Sequence, residues 1–560
     1  VHAHLFSYGL ESFTFIGEGL VEMLVKCGGF DDAIQIVYVL PYTTSNTWTN
    51  LIIEYIESGQ SQHALRMYRA MQEMVFTQSI NPYNYVNMFK ACANVADLKM
   101  GKVLHEEAWA KTWLKVNAFV GSTIITMYGK CGCIIEARKV FDELSERDVV
   151  TWNAMLSAYI EEGKEEDALL LQPTMQDEGV SSNARTLVIA LQACYMLADK
   201  TMRDTSLQEK ENKETILKVG RTLHTDACFK GFELDVFVAN SLVNMYGKCG
   251  RISEAEYVFR CNIPIRNVVS WTLLLSIYME QDEENKVLHA YRQMQEEGVQ
   301  PNEWTFSIVF QACCMLLDKE EAFVVANQRI KVFSLKIVQA LHHDVRRNGL
   351  HSNVFVGSRL VSTYGKCGSI VEAENVFQGL QHPDAIAWSA MMSAYVEVGD
   401  GKRALQLFNQ IDGKYLILDE QIFVIALQAC CVLAEGKNLE AQDDARMKKL
   451  ALEIGELIYA DVVKRGLDLD TFVSNAIFSM YSKCGVLEEA ENVFYGSSPC
   501  DAMLWMSMLS AYVDQDQEKA IMLYRQMSEE GCLGDNGRSY VMALQACNLL
   551  GEKDKDTDMI

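Results

Sequence analysis

The apolar residues of one segment, 236–267, fall into two stripes at helical spacing. In the first stripe Val238, Leu242 and Met245 recur every three to four residues, and Gly250 stands where that helix is expected to end. A second stripe follows, with Ser253 and Glu256 in the pattern of a capping box. Its apolar members are Ile252, Ala255, Val258 and Phe259. The segment therefore predicts two amphipathic helices joined by a short turn.

The same two-helix pattern recurs along the chain in five cycles, each divided into three units. Each cycle carries three markers in a fixed order: a Lys-Cys-Gly tripeptide, a tryptophan and an Ala-Cys pair. A single hairpin of this length cannot bury its apolar face, whereas stacked neighbours can. The sequence therefore predicts an all-α fold, an α-solenoid (right-handed superhelix) of tandem two-helix repeats. The markers are the cysteines Cys27, Cys131, Cys249, Cys367 and Cys484, the tryptophans Trp48, Trp152, Trp271, Trp388 and Trp505, and the cysteines Cys92, Cys194, Cys313, Cys430 and Cys547.

We predict one array over residues 1–560: the tail of a preceding repeat at 1–13, fourteen complete motifs over 14–536, and a truncated long motif over 537–560. The long motif at 82–117 has 36 residues, whereas those at 184–235, 303–353 and 420–470 have 52, 51 and 51. The extra segments, near 199–216, 318–335 and 434–451, are rich in charge. They favour solvated loop extensions, with an added partner-binding surface as the alternative. The motif starts are Thr14, Ser45, Pro82, Ala118, Val149, Ala184, Val236, Val268, Glu303, Val354, Ala385, Glu420, Thr471, Ala502 and Gly537.

Charge and cysteine content narrow the classes of function. The net charge of −25 argues against a polyanion ligand, although a groove can be basic while the outer faces are acidic. The 17 cysteines include no Cys-x-x-Cys pair, so the common zinc spacings are missing, and most are expected to be small buried thiols in a reducing compartment. We predict no cofactor, and no apolar run is long enough to span a membrane.

At these residues the chain resembles the pentatricopeptide repeat family, in its plant-type subclass with alternating short, standard and long motifs. The short motif is represented by Asn240-Ser-Leu-Val-Asn-Met-Tyr-Gly-Lys-Cys-Gly250 and the standard motif by Val149-Val-Thr-Trp-Asn-Ala-Met-Leu-Ser-Ala-Tyr159. The long motif is represented by Thr305-Phe-Ser-Ile-Val-Phe-Gln-Ala-Cys313. The resemblance covers essentially the whole chain.

The resemblance implies that the array binds single-stranded RNA, one base per motif. The fifth and last residues of each motif would face the base. A hydroxyl with an amide suits adenine, a hydroxyl with a carboxylate suits guanine, and asparagine in the fifth place suits pyrimidines. The implied readings are Thr49 with Asn81, Thr272 with Asn302 and Ser307 with Asn353 for adenine; Ser122 with Asp148, Ser358 with Asp384 and Ser389 with Asp419 for guanine; Asn153 with Asn183 and Asn240 with Asn267 for a pyrimidine; and Asn475 with Asp501 for uracil.

Two structural alternatives remain open at these positions. A serine or asparagine near a helix start is often only a cap, although a cap needs no matched partner some thirty residues away. Phe119, Phe237, Phe355 and Phe472, in the second position, are expected either to stack on bases or to fill the core. The remaining long motifs carry Val86, Val188 and Val424 in the fifth place, where little base selectivity is expected.

Two rival functions belong to other classes. A tetratricopeptide-like protein scaffold would suit the acidic charge, but it predicts a uniform repeat and a Trp-x-x-Leu-Gly pattern. An enzyme of the cytidine-deaminase kind needs His-x-Glu together with Cys-x-x-Cys. His105-Glu106-Glu107 has the first spacing, but no Cys-x-x-Cys occurs, so no catalytic or metal site is predicted. His105, His224 and His342 recur in long motifs and are expected to be packing residues.

The resemblance implies site-specific binding of organellar RNA, in the mitochondrion or the chloroplast. Transcript editing, a C-to-U modification, is the process it implies first. RNA stabilisation, splicing and processing are the alternatives. The partners implied are single-stranded RNA and an editing enzyme or other organellar RNA factor recruited in trans, with no membrane.

Overall fold

The computed structural model consists of paired helices, with one small two-stranded sheet. It describes residues 14–39, 45–74, 82–110, 117–201, 208–321, 323–325, 328–411, 419–435, 441–467, 470–496, 502–515, 517–529, 541–542 and 544–545. The chain forms two compact units, Val1–Arg266 and Asn267–Ile560. Within each unit every motif contributes a first helix and a second helix, so each unit is an α-solenoid. None of the described helices is both long and apolar enough to cross a membrane.

The first helix of each motif begins at the residue that the sequence marks as a motif start. In the first unit these helices are α1 Thr14–Lys26, α3 Ser45–Glu57, α5 Pro82–Val95, α7 Ala118–Lys130, α9 Val149–Glu161, α11 Ala184–Thr201 and α13 Val236–Lys248. In the second unit they are α15 Val268–Glu280, α17 Glu303–Lys319, α19 Val354–Lys366, α21 Ala385–Val398, α23 Glu420–Ala434, α25 Thr471–Cys484 and α27 Ala502–Gln515. The division of the chain into a tail, fourteen motifs and a truncated motif stays a prediction, and 1–13 and the start at Gly537 lie outside the described residues.

The second helices alternate with the first. In the first unit they are α2 Phe30–Val39, α4 Ser61–Met74, α6 Leu98–Trp109, α8 Ile134–Glu143, α10 Glu165–Asp177, α12 Gln208–Phe229 and α14 Ile252–Cys261. In the second unit they are α16 Glu284–Glu296, α18 Val332–Arg347, α20 Ile370–Gly379, α22 Gly401–Phe408, α24 Ala441–Arg465, α26 Leu487–Gly496 and α28 Gln517–Glu529. The strands β1 Phe323–Val325 and β2 Gln328–Ile330 pair antiparallel, with Phe323 opposite Ile330.

Within a unit the first helices of successive motifs pack side by side. Small residues allow this close approach: a methyl group on Gly129 would lie 2.7 Å from Ala158 Cβ of the next first helix. The recurring tryptophan fills the junction between motifs. Trp152 is 1% exposed and its ring meets Phe141 edge-on, with the centroids 4.9 Å apart. The marker tryptophans Trp48, Trp152, Trp271 and Trp505 are therefore residues of the core, whereas Trp388 is half-buried.

The Lys-Cys-Gly tripeptide ends the first helix of each short motif. Gly132 has φ 69° and Gly250 has φ 73°, a left-handed conformation that glycine adopts without a steric penalty. The predicted capping box at Ser253 and Glu256 is wrong. The second helix begins at Ile252 with Arg251 as its N-cap, so Ser253 lies inside the helix. The left-handed turn at Gly250 places the start of that helix at Ile252, one residue before Ser253.

The extra segments of the long motifs are mainly helix and hairpin, which corrects the prediction of loops. Helix α12 has 22 residues and α24 has 25, whereas α6, in the motif without an insertion, has 12. The middle segment contains the hairpin β1–β2. Their charged residues suit exposed helical turns as well as loops, so composition alone did not separate the two.

Three histidines make the same contact at successive junctions between long and short motifs. The distance from His Nδ1 to Tyr Oη is 2.9 Å for His105 and Tyr128, 2.9 Å for His224 and Tyr246, and 3.0 Å for His342 and Tyr364. These histidines are packing residues, as the sequence indicated. Burial lowers the pKa of all three, and for His342 it does so to about 4, with Arg346 adding to the effect.

The protein is expected to lose thermal stability as the pH falls from 7 toward 5. The unfolded chain takes up a proton on each histidine near pH 6.5, whereas a folded-state pKa below that value keeps the ring neutral. Stability from these groups is therefore present above pH 6.5 and is lost between that pH and the lower folded pKa. His342→Gln should show a smaller fall in Tm between pH 7.5 and 5.0 than the wild type. His382→Gln, at an exposed residue, is the control and should match the wild type.

Candidate functional site

The predicted base-facing residues lie at the N-terminal ends of the first helices. The fifth residue of a motif is in the first turns of its own first helix, and the last residue caps the first helix of the following motif. Because neighbouring first helices within a unit pack side by side, a fifth residue and the last residue of the same motif can approach each other. The last residues whose side chains accept a backbone N–H in this way are Asn117, Asp148, Asn183, Asp235, Asn267, Asn302, Asn353, Asp384, Asp419 and Asp470.

Two predicted pairs are joined by a direct hydrogen bond. Asn153 Nδ2 donates to Asn183 Oδ1 at 3.3 Å, and Ser358 Oγ donates to Asp384 Oδ1 at 3.2 Å. A third pair is joined through one residue: the oxygens of Thr272 and Thr305 are 3.0 Å apart, and Thr305 Oγ1 donates to Asn302 Oδ1 at 2.8 Å. The structure therefore brings these predicted partners together.

Other predicted pairs make no direct hydrogen bond. They are Ser122 with Asp148, Ser389 with Asp419 and Ser307 with Asn353, where Asn353 Nδ2 donates instead to Glu303 Oε1 at 3.4 Å. Asn240 lies in the first unit and Asn267 in the second. Asn81 and Asp501, the partners predicted for Thr49 and Asn475, lie outside the described residues.

Capping fixes which atoms of the last residue are left for a ligand. Asn302 Oδ1 accepts from the backbone N–H of Thr305 at 2.9 Å, so its Nδ2 remains as a donor. Asp148 Oδ1 accepts from the backbone N–H of Thr151 at 2.8 Å, so its second carboxylate oxygen remains as an acceptor. Capping and ligand reading are therefore compatible functions of one side chain, which the sequence had presented as alternatives.

The hydroxyl protons of the fifth residues are already committed to the protein. Ser122 Oγ donates to Phe119 O at 3.0 Å, Thr272 Oγ1 to Val268 O at 2.7 Å and Ser389 Oγ to Ile386 O at 3.0 Å. A hydroxyl has one proton and two lone pairs, so each of these groups can only accept a hydrogen bond from a ligand. In the long motif at 82–117 the fifth place holds Val86, which is buried and has no polar group.

The second-position aromatics lie on the surface. Phe119 is 48% exposed, and Phe237 and Phe472 are each 75% exposed, whereas Phe355 is half-buried. Exposed rings at three of the four positions favour stacking on a ligand over core packing. Other second positions are also exposed and apolar: Tyr83, Val150, Val269, Trp304 and Ile386.

Sequence analysis did not single out Tyr83 and Trp304. Trp304 is 64% exposed, and its ring centroid lies 5.3 Å from that of Phe355, the second residue of the next motif. Tyr83 and Phe119 stand in the same relation, 6.1 Å apart. The sequence signal that could have identified both residues is an aromatic side chain in the second place of a long motif. Successive second positions thus lie side by side as exposed apolar surfaces, on which a flat ligand group can stack.

Within the described residues, most of the lysines at the ends of the short-motif first helices form ion pairs with carboxylates, the exception being Lys130. Lys248 Nζ lies 2.9 Å from Asp199 Oδ1, and Lys483 Nζ lies 2.5 Å from Glu435 Oε1. Lys248 and Lys483 therefore have partners within the protein. Over the described part of the chain, no three His, Cys, Asp or Glu side chains meet as a metal site.

Comparisons with known proteins agree with this arrangement of repeats. The profile described as "PPR repeat family" matches residues 147–196 and 266–315, and that described as "PPR repeat" matches 46–75, 122–149, 237–261, 386–415 and 472–496. A pentatricopeptide repeat-containing protein of Arabidopsis thaliana is 28% identical over 95% of this chain and 68% of its own length. Another from the same plant, named chloroplastic, is 30% identical over 77% of this chain and 64% of its own length.

A solved structure shares the fold. The crystal structure of the pentatricopeptide repeat protein PPR10 from maize superposes with a TM-score of 0.57 at 19% identity. The match covers 96% of this chain and 78% of that one. The chain spans about two thirds of the length of the two curated relatives above.

Proposed function

The chain belongs to the pentatricopeptide repeat family, and we propose that it binds single-stranded RNA by selecting one base per motif through the fifth and last residues. The observation that carries this proposal is the fixed orientation of those residues. Their polar atoms toward the helix are committed, which leaves one defined donor or acceptor of each for a base. The fifth-place serines Ser122, Ser358 and Ser389 are themselves buried.

The orientation at the guanine positions matches the edge of that base. Guanine offers N–H donors at N1 and N2 along its pairing edge. Ser122 and Asp148 present only acceptors there: lone pairs of a hydroxyl whose proton Phe119 O holds, and the free carboxylate oxygen. Ser358 with Asp384 and Ser389 with Asp419 repeat this chemistry, so all three pairs are proposed to select guanine.

The adenine positions differ by one group. Adenine presents an amino donor at N6 beside an acceptor at N1. Thr272 supplies a hydroxyl acceptor, and Asn302 supplies its free Nδ2 donor. Thr49 with Asn81 and Ser307 with Asn353 are proposed to act in the same way, and the asparagines Asn153, Asn240 and Asn475 to select pyrimidines.

The exposed second-position side chains are proposed to hold the base planes. Stacking on an aromatic ring contributes about 1–3 kcal/mol per base and does not depend on base identity. Affinity would then come largely from stacking, and selectivity from the polar pairs. This division suits a protein with a net charge of −25, because it requires few phosphate contacts.

The biological setting is proposed at a coarser level. Several Arabidopsis relatives are named chloroplastic, which supports an organellar RNA as the target. We propose specification of RNA-editing sites as the process, with the modifying enzyme acting in trans, because editing is the process that the resemblance to the subclass with alternating short, standard and long motifs implies first. RNA stabilisation, splicing and processing remain the alternatives.

The test is a gel-shift titration at a stated salt concentration against two RNAs of the same composition. One RNA carries A-N-G-Y-N-Y-A-A-G-G-N-U, written 5′ to 3′ along the motifs from Ser45 to Asp501, and the other carries these bases scrambled. We expect at least a tenfold preference for the designed RNA, which corresponds to about 1.4 kcal/mol. Equal affinity for the two RNAs, or no binding, would show that the pairs do not read bases.

A further inference from the structure

The third residue of the long motifs reaches back to the fifth residue of the preceding standard motif. Thr186 Oγ1 donates to Asn153 Oδ1 at 2.7 Å. Thr49 Oγ1 donates to Asn84 Oδ1 at 2.7 Å, and the Thr272 and Thr305 hydroxyls are 3.0 Å apart. Three standard motifs therefore have a fifth residue held from the next motif. Within the second unit, Ile422 takes this place after the motif of Ser389, and it has no polar group to offer.

Thr186 is completely buried and is held in place by the helix cap. Its backbone N–H donates to Asn183 Oδ1 at 2.9 Å, and its Oγ1 lies 3.0 Å from the same oxygen. The backbone N–H of Asn183 donates in return to Thr186 Oγ1 at 3.2 Å. A side chain fixed by this many partners can orient the one it touches.

The contact determines which way the Asn153 amide faces. The carbonyl oxygen of Asn153 is turned toward the Thr186 hydroxyl, and one proton of its Nδ2 is directed at Asn183 Oδ1 at 3.3 Å. Turning the amide over would lose the Nδ2 hydrogen bond and set the Asn153 carbonyl against Asn183 Oδ1, two acceptors with no proton between them. The Thr186 hydroxyl, which now donates to Asn153, would then have to accept from its NH₂ group as well as from the backbone N–H of Asn183. The second proton of Asn153 Nδ2 and the NH₂ group of Asn183 then remain for a base. Both are donors.

Two donors side by side distinguish the two pyrimidines. Cytosine has adjacent acceptors at N3 and O2, whereas uracil carries a proton on N3. We propose that Thr186 is a positioning residue that makes the motif 149–183 select cytosine over uracil by holding Asn153 with its NH₂ group toward the base. This inference rests on the proposed RNA-binding function and narrows its pyrimidine at that position to cytosine.

The experiment compares the designed RNA with C or with U at its fourth base, the one opposite Asn153. The wild type should prefer C by about tenfold, or 1.4 kcal/mol. Thr186→Val keeps the volume and removes the hydroxyl, and it should bring the two affinities within about twofold. Thr186→Ser keeps the hydroxyl and should keep the preference for C. Thr305→Val removes a hydroxyl of the same burial from another junction and should leave the fourth base unaffected.

The outcomes separate this inference from the function on which it rests. If the wild type prefers the designed RNA to the scrambled one but binds C and U equally, or keeps its preference in Thr186→Val, the role of Thr186 is overturned and base reading stands. A Thr186→Val variant that loses affinity equally for every RNA, with a lowered Tm, would show a structural role only and would also overturn it. If the designed RNA has no advantage over the scrambled one, both proposals fail together.

Discussion

Replacing Trp152 by alanine is expected to lower the free energy of unfolding by about 3–5 kcal/mol, the usual range for a large aromatic residue removed from a core. The side chain is 1% exposed and its ring packs edge-on against Phe141 of the preceding motif. The substitution leaves a cavity at the junction between a short and a standard motif. Urea unfolding followed by circular dichroism measures the change.

Trp304→Ala is the matched control, because the same residue type is 64% exposed there. It should change the free energy of unfolding by no more than about 0.5 kcal/mol. Its binding free energy for the designed RNA should become less favourable by about 1–3 kcal/mol, the contribution of one stacked base. If Trp304→Ala lowers the free energy of unfolding as much as Trp152→Ala does, the Trp304 ring lies in the core rather than on the RNA-binding surface.

Asp148→Asn is expected to change the preferred third base of the designed RNA from guanine to adenine without loss of stability. Asparagine and aspartate cap helices about equally well, so the bond to the Thr151 N–H should persist. The free acceptor becomes a free donor, which repels the N1–H of guanine and suits N1 of adenine. We expect a reversal of at least tenfold in the ratio of the two affinities, about 1.4 kcal/mol.

Asp148→Ala separates the two functions of this side chain. It removes the cap as well as the reading group, so it should lose about 0.5–2 kcal/mol of stability together with base preference. Competition gel shifts with A or G at the third base, and thermal unfolding of the three proteins, measure both effects. Asp148→Asn with an unchanged preference for guanine would contradict the assignment of Asp148 to that base.

The helices could be predicted from the sequence because each signal was local. The apolar stripes and the Asp or Asn before most first helices lie within a few residues of the boundary that they determine, and Gly250 ended its helix as expected. The errors arose where a local pattern competed with a neighbouring one. Ser253 had the spacing of a capping box, but the glycine turn before it had already fixed the helix start. The charged insertions indicated loops because exposed helical turns have the same composition.

The candidate site could be predicted only in part. The pairs of fifth and last residues were assigned to bases from the family resemblance. The sequence left open whether Phe119 and Phe237 stack on a ligand or lie in the core. Burial decides that question, and burial depends on how neighbouring motifs pack. The contact between Thr186 and Asn153 joins residues 33 positions apart in two motifs. No pattern within one motif encodes it, so it could be found only in the folded chain.

The double use of the last residue also bears on how such a protein can evolve. One end of the Asp148 or Asn302 side chain holds a helix start, while the other end faces outward. A single nucleotide substitution exchanges an aspartate codon for an asparagine codon and leaves the helix start intact. Such exchanges hardly change the folding stability, so selection on folding does not remove them. A population can then carry arrays of different base specificity with nearly the same stability. The residue that links two motifs is therefore also the position at which a change most easily gives the protein a new RNA target.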